Sequence, residues 1–219
     1  MEFKRITIFS GHYGSGKTNI AVNFAVELKK QFEKVAIADI DIVNPYFRTK
    51  DSEELFENKG IRLICSPYAN SNVDIPALPQ EIYSVTDDKS VHAILDVGGD
   101  ERGALALGRL VPKIKEENDY DMYFVVNTFR PLTQDVNSIM QVFNEIENAC
   151  KLKFTGVINN SNLGLETSKE DVLSSITIVE DFCKTVNIPL KFTTVSENLY
   201  NELNGEIENL YPLKMQKKL

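Results

Sequence analysis

Apolar residues along the chain fall into two kinds of run that take turns. Short, continuous, β-branched and aromatic runs occupy residues 3–9, 34–40, 61–65, 91–97, 122–127, 154–159 and 190–195. Their continuity is the pattern of strands buried on both faces, as in a parallel sheet. Between them apolar residues recur at helical spacing. Ile20, Phe24 and Leu28 stand four apart, with Ala21, Val22, Ala25 and Val26 filling in, which predicts a helix apolar nearly all round and deep in the fold. Val136, Ile139, Met140, Phe143 and Ile146 mark a second helix, and Val172, Ile176, Val179, Cys183 and Val186 a third, with Thr167 and Glu170 as its capping box. Leu199, Leu203, Ile207 and Leu210 predict a last helix capped by Ser196.

This alternation predicts one α/β domain over residues 1–219: a single doubly wound, mostly parallel sheet with helices on both faces and right-handed crossovers. Ligands of such sheets bind at the carboxyl ends of the strands. One stretch breaks the rhythm. Residues 66–85 hold Pro67, Pro76 and Pro79 among asparagines and read as a long loop, either functional or a surface excursion covering a sheet edge.

Composition narrows the function. The net charge is −8 and no basic block occurs, which argues against non-specific nucleic-acid binding. No apolar run approaches the roughly 20 residues that span a bilayer. The start, MEFKRITIF, enters a strand at once and lacks a signal-peptide layout. Three cysteines far apart (Cys65, Cys150, Cys183) form no paired motif, so a reducing cytoplasm is the expected compartment. The tail, residues 213–219, is read as a frayed polar terminus, with a basic amphipathic membrane helix as the alternative.

The chemistry is concentrated after three strand runs. Gly11-His12-Tyr13-Gly14-Ser15-Gly16-Lys17-Thr18 satisfies G-x-x-x-x-G-K-[ST] between a strand and a helix, the layout of a P-loop. Gly11, Gly14 and Gly16 let the backbone turn tightly and approach phosphate oxygens. Lys17 is a point charge for the β and γ phosphates. The Thr18 hydroxyl can ligate Mg²⁺. Ser15 and Asn19 belong to the same nucleotide-binding run, and His12 and Tyr13 are loop residues near the base or a partner. The run at 91–97 ends Asp96-Val97-Gly98-Gly99, a D-x-x-G in which Asp96 can hold the Mg²⁺ shell and the Gly99 amide can turn to a γ-phosphate. The run at 34–40 ends Asp39-Ile40-Asp41. No more than one of these two carboxylates is expected to face the phosphates directly, unless the strand has already turned, and one that does can orient an attacking water or bind magnesium water.

In this order, GHYGSGKT, VAIADIDIVNP and ILDVGGD resemble the MinD/ParA/CobQ-type nucleotide-binding domain, the deviant-Walker SIMIBI branch of P-loop NTPases. The resemblance is strongest over about the first hundred residues. It implies ATP and Mg²⁺ as cofactors, Asp41 as the catalytic carboxylate beside Lys17, Asp39 as its magnesium-side or hydrogen-bonding partner, Thr18 and Asp96 on the magnesium, and a slow ATPase switch. It also implies a homodimer and a protein partner, the loops after Asp41 and Asp96, with Arg48 and Arg102, changing on hydrolysis. The guanine-reading N-K-x-D is absent; relatives read adenine with an asparagine at a strand end, matched best by Asn159 and next by Asn160, with residues 194–196 as a further candidate for the base edge. One departure stands inside the loop. Aligned on Gly16-Lys17-Thr18, the family's signature lysine, which crosses a dimer interface to the partner's phosphates, falls on His12. Histidine charges near pH 6.5 and replaces that cation only in part. Two other readings remain: a synthetase activating a carboxylate substrate, of the cobyrinate or dethiobiotin type, with residues 66–85 walling its pocket, and an assembly ATPase serving a metalloenzyme.

Overall fold

The computed structural model describes residues 3–41, 49–65 and 79–215. The strands are β1 (Ile6–Ser10), β2 (Val35–Ile40), β3 (Arg62–Ile64), β4 (His92–Val97), β5 (Tyr120–Val126), β6 (Gly156–Asn159), β7 (Leu190–Ser196) and β8 (Leu210–Leu213). The helices are α1 (Lys17–Lys29), α2 (Glu53–Lys59), α3 (Ser84–Asp87), α4 (Glu101–Gly108), α5 (Val111–Glu117), α6 (Val136–Cys150), α7 (Lys169–Val186) and α8 (Glu197–Leu203). The strands form one sheet in the order β3-β2-β4-β1-β5-β6-β7-β8, and every pairing is parallel. Strand β1 lies centrally, between β4 and β5, so the crevice of the reversing strand order opens directly above its carboxyl end.

The continuous apolar runs are explained by what covers them. Successive residues of a strand face opposite sides. Phe9, Ile37, Ile94 and Val125 pack under α1 with Phe24, Leu28 and Phe56, whereas Ile8, Ala36, Leu95 and Phe124 pack under α4 to α7 with Leu107, Ile139, Phe143 and Phe182. Both faces are therefore dry. Helix α1 buries Ile20, Ala21, Val22, Phe24, Ala25 and Leu28, matching its all-round apolar pattern. At the opposite end of β1 from the glycine loop, the buried Arg5 pairs with Glu117 and donates to the carbonyls of Val85 (2.9 Å) and Val91 (2.8 Å). That guanidinium satisfies chain ends converging below the sheet, where a lost partner would be costly.

Three local expectations are corrected. The last predicted helix stops at Leu203; Gly205, at φ 100°, ends it, and Leu210 begins β8 on the edge of the sheet. Leu199, Leu203, Ile207 and Leu210 still share one cluster with Val172 and Val195, so their spacing recorded burial and not one continuous helix. The capping box of α7 lies one residue further on. The Ser168 hydroxyl accepts from the Asp171 amide at 3.2 Å and the Asp171 carboxylate accepts from the Ser168 amide at 2.9 Å. Thr167 is engaged instead in the preceding turn, accepting from the Leu163 amide and donating to the Gly164 carbonyl. The tail enters the edge strand through Leu213, and its last four residues lie outside the described ones, as do residues 66–78 of the long loop and Arg48. Among the described residues, no helix is long and apolar enough to cross a membrane.

Candidate nucleotide site

The loop after β1 folds around its own lysine. Gly16 precedes α1 with φ 86°, a left-handed conformation that glycine adopts without strain. Gly16 brings no capping side chain to the start of the helix, the end of a helix whose amides suit an anion. Lys17 is buried, and its ammonium donates to the His12 carbonyl at 3.2 Å. Burial depresses its basicity, and the negative charges of Asp96, Asp41 and Asp100 act against that depression. Ser15 Oγ, also buried, has no hydrogen-bond partner among the described residues.

The carboxylates arrive from neighbouring strands. Asp39 and Asp96 stand side by side in the β2–β4 register. Asp96 is buried and accepts from the Thr49 hydroxyl at 2.9 Å through one oxygen. Its other oxygen, Oδ1, is buried with no hydrogen-bond partner among the described residues. Desolvation pushes its carboxyl up to about 6, opposed by the Lys17 charge and by the Thr18 and Thr49 hydroxyls. Strand β2 ends at Ile40, so Asp41 lies past the extended segment that holds Asp39. Asp39 is buried and accepts from the Asp41 amide at 3.0 Å, whereas Asp41 lines the open cavity over the loop.

The D-x-x-G turn closes on the loop by contact. A Cβ at Gly99 would come within 2.5 Å of the Tyr13 nitrogen and 2.6 Å of the Gly11 carbonyl oxygen. Only glycine allows the two backbones to approach so closely. Asp100 then caps α4, accepting from the Gly103 amide at 2.9 Å. Arg102 lies in the first turn of α4, directly after this junction.

A cavity of about 490 Å³ lies over the loop, walled by Lys17, Thr18, Asn19, Asp41, Arg130 and Asn160 among others. A second, of about 450 Å³, shares Asn160, Asn162 and Met215 with it and extends along the ends of β6 and β7 past Thr194, Ser196 and Glu202. The pair forms an elongated trough with phosphate-type groups at one end. Asn160 sits at the join; its amide donates to the Ser15 carbonyl at 2.6 Å, and its oxygen accepts from the Thr194 hydroxyl at 2.5 Å. Asn159 is fully buried on neither cavity wall, its amide donating to Ser175 and its oxygen accepting from Ser161. Of the two asparagines only Asn160 reaches the trough, because Asn159 still belongs to β6 and points into the packing beneath α7.

His12 lies at the loop's other flank, its Nδ1 2.9 Å from the Tyr13 carbonyl oxygen. Burial lowers its basicity; the hydrogen bond with the Tyr13 carbonyl and, less, Glu145 act in the raising direction, and the nearby Lys17 lowers it further. That shift disfavours the charged imidazolium that would stand in for the family's lysine. Tyr13 is exposed beside it. Motif matching misses Thr49, Arg130, Asn162 and Met215. Arg130 and Asn162 sit just past the carboxyl ends of β5 and β6, where the fold itself directs attention; Thr49 and Met215 carry no sequence signal.

The donor set fits a magnesium-bound nucleoside triphosphate. The Thr18 hydroxyl, the unpartnered Asp96 Oδ1 and a buried ammonium converge beneath the trough. Among the described residues no cluster of three or more histidine, cysteine or acidic groups could hold a metal without the nucleotide's own oxygens. Fold and site together define a P-loop nucleotide-binding protein. The chain belongs to the CobQ/CobB/MinD/ParA nucleotide-binding domain family, whose model matches residues 6–185.

Similar solved structures include FtsY from Mycoplasma mycoides, 20% identical over 90% of this chain and 61% of that one with a TM-score of 0.57. Chloroplast FtsY from Physcomitrella patens is 18% identical over 90% of this chain and 60% of that one, with a TM-score of 0.60. The signal recognition particle receptor FtsY from Elizabethkingia anophelis, in complex with GDP, is 15% identical over 90% and 59%, with a TM-score of 0.52. At such identities the likeness is one of fold, and the chain spans about three fifths of the length of these structures. No curated protein matches the chain.

Proposed function

We propose that the chain is a Mg²⁺-dependent ATP-binding switch with slow ATPase activity. The observation that carries this reading is the buried Lys17 ammonium held by its own loop, with Asp96 and Asp41 close by and an open trough above. Lys17 and the loop amides bind the β and γ phosphates. Thr18 and Asp96, supported by Asp39, hold the magnesium, which when bound neutralises phosphate charge. Asp41, on the cavity wall, orients the attacking water towards the terminal phosphate. Gly99, packed on the loop backbone, makes the D-x-x-G turn sense whether that phosphate is present, and α4 behind it relays the change to a second copy or to a protein partner.

ATP is favoured over GTP by the absence of N-K-x-D and by the asparagine, Asn160, at the join of the trough. A third cavity of about 480 Å³, lined by His12, Gly99, Asp100, Glu145 and Asn148, adjoins the loop and is the place for a second substrate in the synthetase reading. Its acidic walls repel a carboxylate substrate, so the switch is preferred.

Thermal denaturation with Mg-ATP and Mg-GTP tests the proposal. Mg-ATP should raise the midpoint by several degrees, Mg-GTP less, and Lys17→Ala should abolish both shifts. No response of the unmodified protein to either nucleotide would sink it. Light scattering with ATP and ADP then reports whether the monomer pairs.

A further inference from the structure

The family resemblance assigns a trans-acting cation to the position held by His12, where burial disfavours the charged form of the imidazole. Another cation stands at the loop. Arg130, on the β5–α6 connection, lines the same cavity as Lys17 and Asp41. Its Nε donates to the Gly14 carbonyl at 3.0 Å, laying the guanidinium across the middle of the phosphate loop. No carboxylate pairs with it among the described residues, and its two terminal nitrogens have no hydrogen-bond partner there.

The connection that carries it is pinned. The Asn127 side-chain oxygen accepts from the Phe129 amide at 3.0 Å, and the Asn127 carbonyl accepts from the Arg130 amide at 3.1 Å and the Thr133 hydroxyl at 2.6 Å. The Thr133 amide closes the turn on the Arg130 carbonyl at 2.9 Å. Pro131, next in the chain, restricts the backbone further. Two like charges, Lys17 and Arg130, are thus kept on one cavity, and the arginine has four N–H groups in a planar fork suited to phosphate oxygens.

We propose that Arg130 binds the terminal phosphate oxygens of the nucleotide, supplying in cis a cation that relatives take from a partner subunit. The proposal rests on the nucleotide reading of the loop. It makes nucleotide capture by a single copy independent of dimerisation, because both cations come from one chain.

Calorimetric titration of wild type, Arg130→Lys and Arg130→Ala with Mg-ATP, Mg-ADP and AMP is the test, with the melting point of each nucleotide-free protein alongside. Arg130→Ala should weaken Mg-ATP roughly tenfold or more, Mg-ADP less and AMP hardly at all, with the nucleotide-free melting point unchanged and Arg130→Lys intermediate. Equal weakening of all three ligands together with a lowered melting point would reduce Arg130 to a staple for Gly14 and overturn the proposal. Unchanged affinities would overturn it as well. If wild type binds none of the three nucleotides, the nucleotide reading itself falls, a result distinct from either.

Discussion

Single atoms decide much at this site. At Gly99 the missing Cβ is what lets the D-x-x-G turn lie on the glycine loop. Gly99→Ala should cost about 1–3 kcal/mol in urea denaturation, through overpacking against backbone that cannot rotate away. It should also lower Mg-ATP affinity more than its stability loss explains, because relief comes by displacing Tyr13 and Gly11. Asp96 makes a pH prediction of definite sign. Its carboxyl is pushed up to about 6 in the fold from 3.8. The folded protein therefore keeps a proton that the unfolded chain has lost, so stability falls as pH rises between those values and the cost persists above them. Asp96→Asn removes that cost. Without nucleotide it should be more stable than wild type at pH 8 by about 1 kcal/mol, less than the shift alone would give because Lys17 loses a counter-charge. The advantage should vanish near pH 4. The same variant should lose most stabilisation by Mg-ATP, and this opposition of signs separates a metal ligand from a structural acid.

Among the elements, the edge strand β8 links the chain's end to the site. Asn23 of α1 donates to the Lys214 carbonyl at 2.9 Å and accepts from the Lys214 amide at 3.0 Å. Asn19, one turn earlier, donates to the Met215 sulfur at 3.5 Å, and Met215 lines both halves of the trough. Asn23→Ala should cost about 1–2 kcal/mol and speed amide exchange in β8 before the rest of the sheet. Nucleotide affinity should fall as the wall at Met215 loosens. None of this is legible locally: Leu210, at helical spacing from Leu203, is recruited by the open edge of β7 instead. The glycine loop and the D-x-x-G turn are legible, since backbone conformation there depends on residues close in sequence. Sequence matching placed Asn159 ahead of Asn160, whereas only Asn160 lines the trough; both are buried, and one residue's difference at a strand end turns the side chain from the packing beneath α7 to the cavity wall.

For the whole molecule, ligand binding to the folded state alone must raise its stability. Mg-ATP at about 100 times its dissociation constant should add about 2.7 kcal/mol. Protection against hydrogen exchange should spread from the glycine loop to the start of α4, reached through Gly99, and to the β5–α6 connection, which carries Arg130 against Gly14. Absence of extra protection at α4 with saturating nucleotide would count against a switch transmitted through Gly99.

By itself the sequence determined the parallel α/β alternation, the central glycine loop and the acids behind it. Period, burial on both faces and turn chemistry are written in neighbouring residues. Only the tertiary structure decided which asparagine reaches the trough, that burial lowers the basicity of His12, that β8 rather than a longer helix completes the edge, and that Arg130 lies over Gly14. Those facts depend on strand order and on how far each strand runs before it turns. Residues more than a hundred positions apart meet there for packing reasons that no local pattern records.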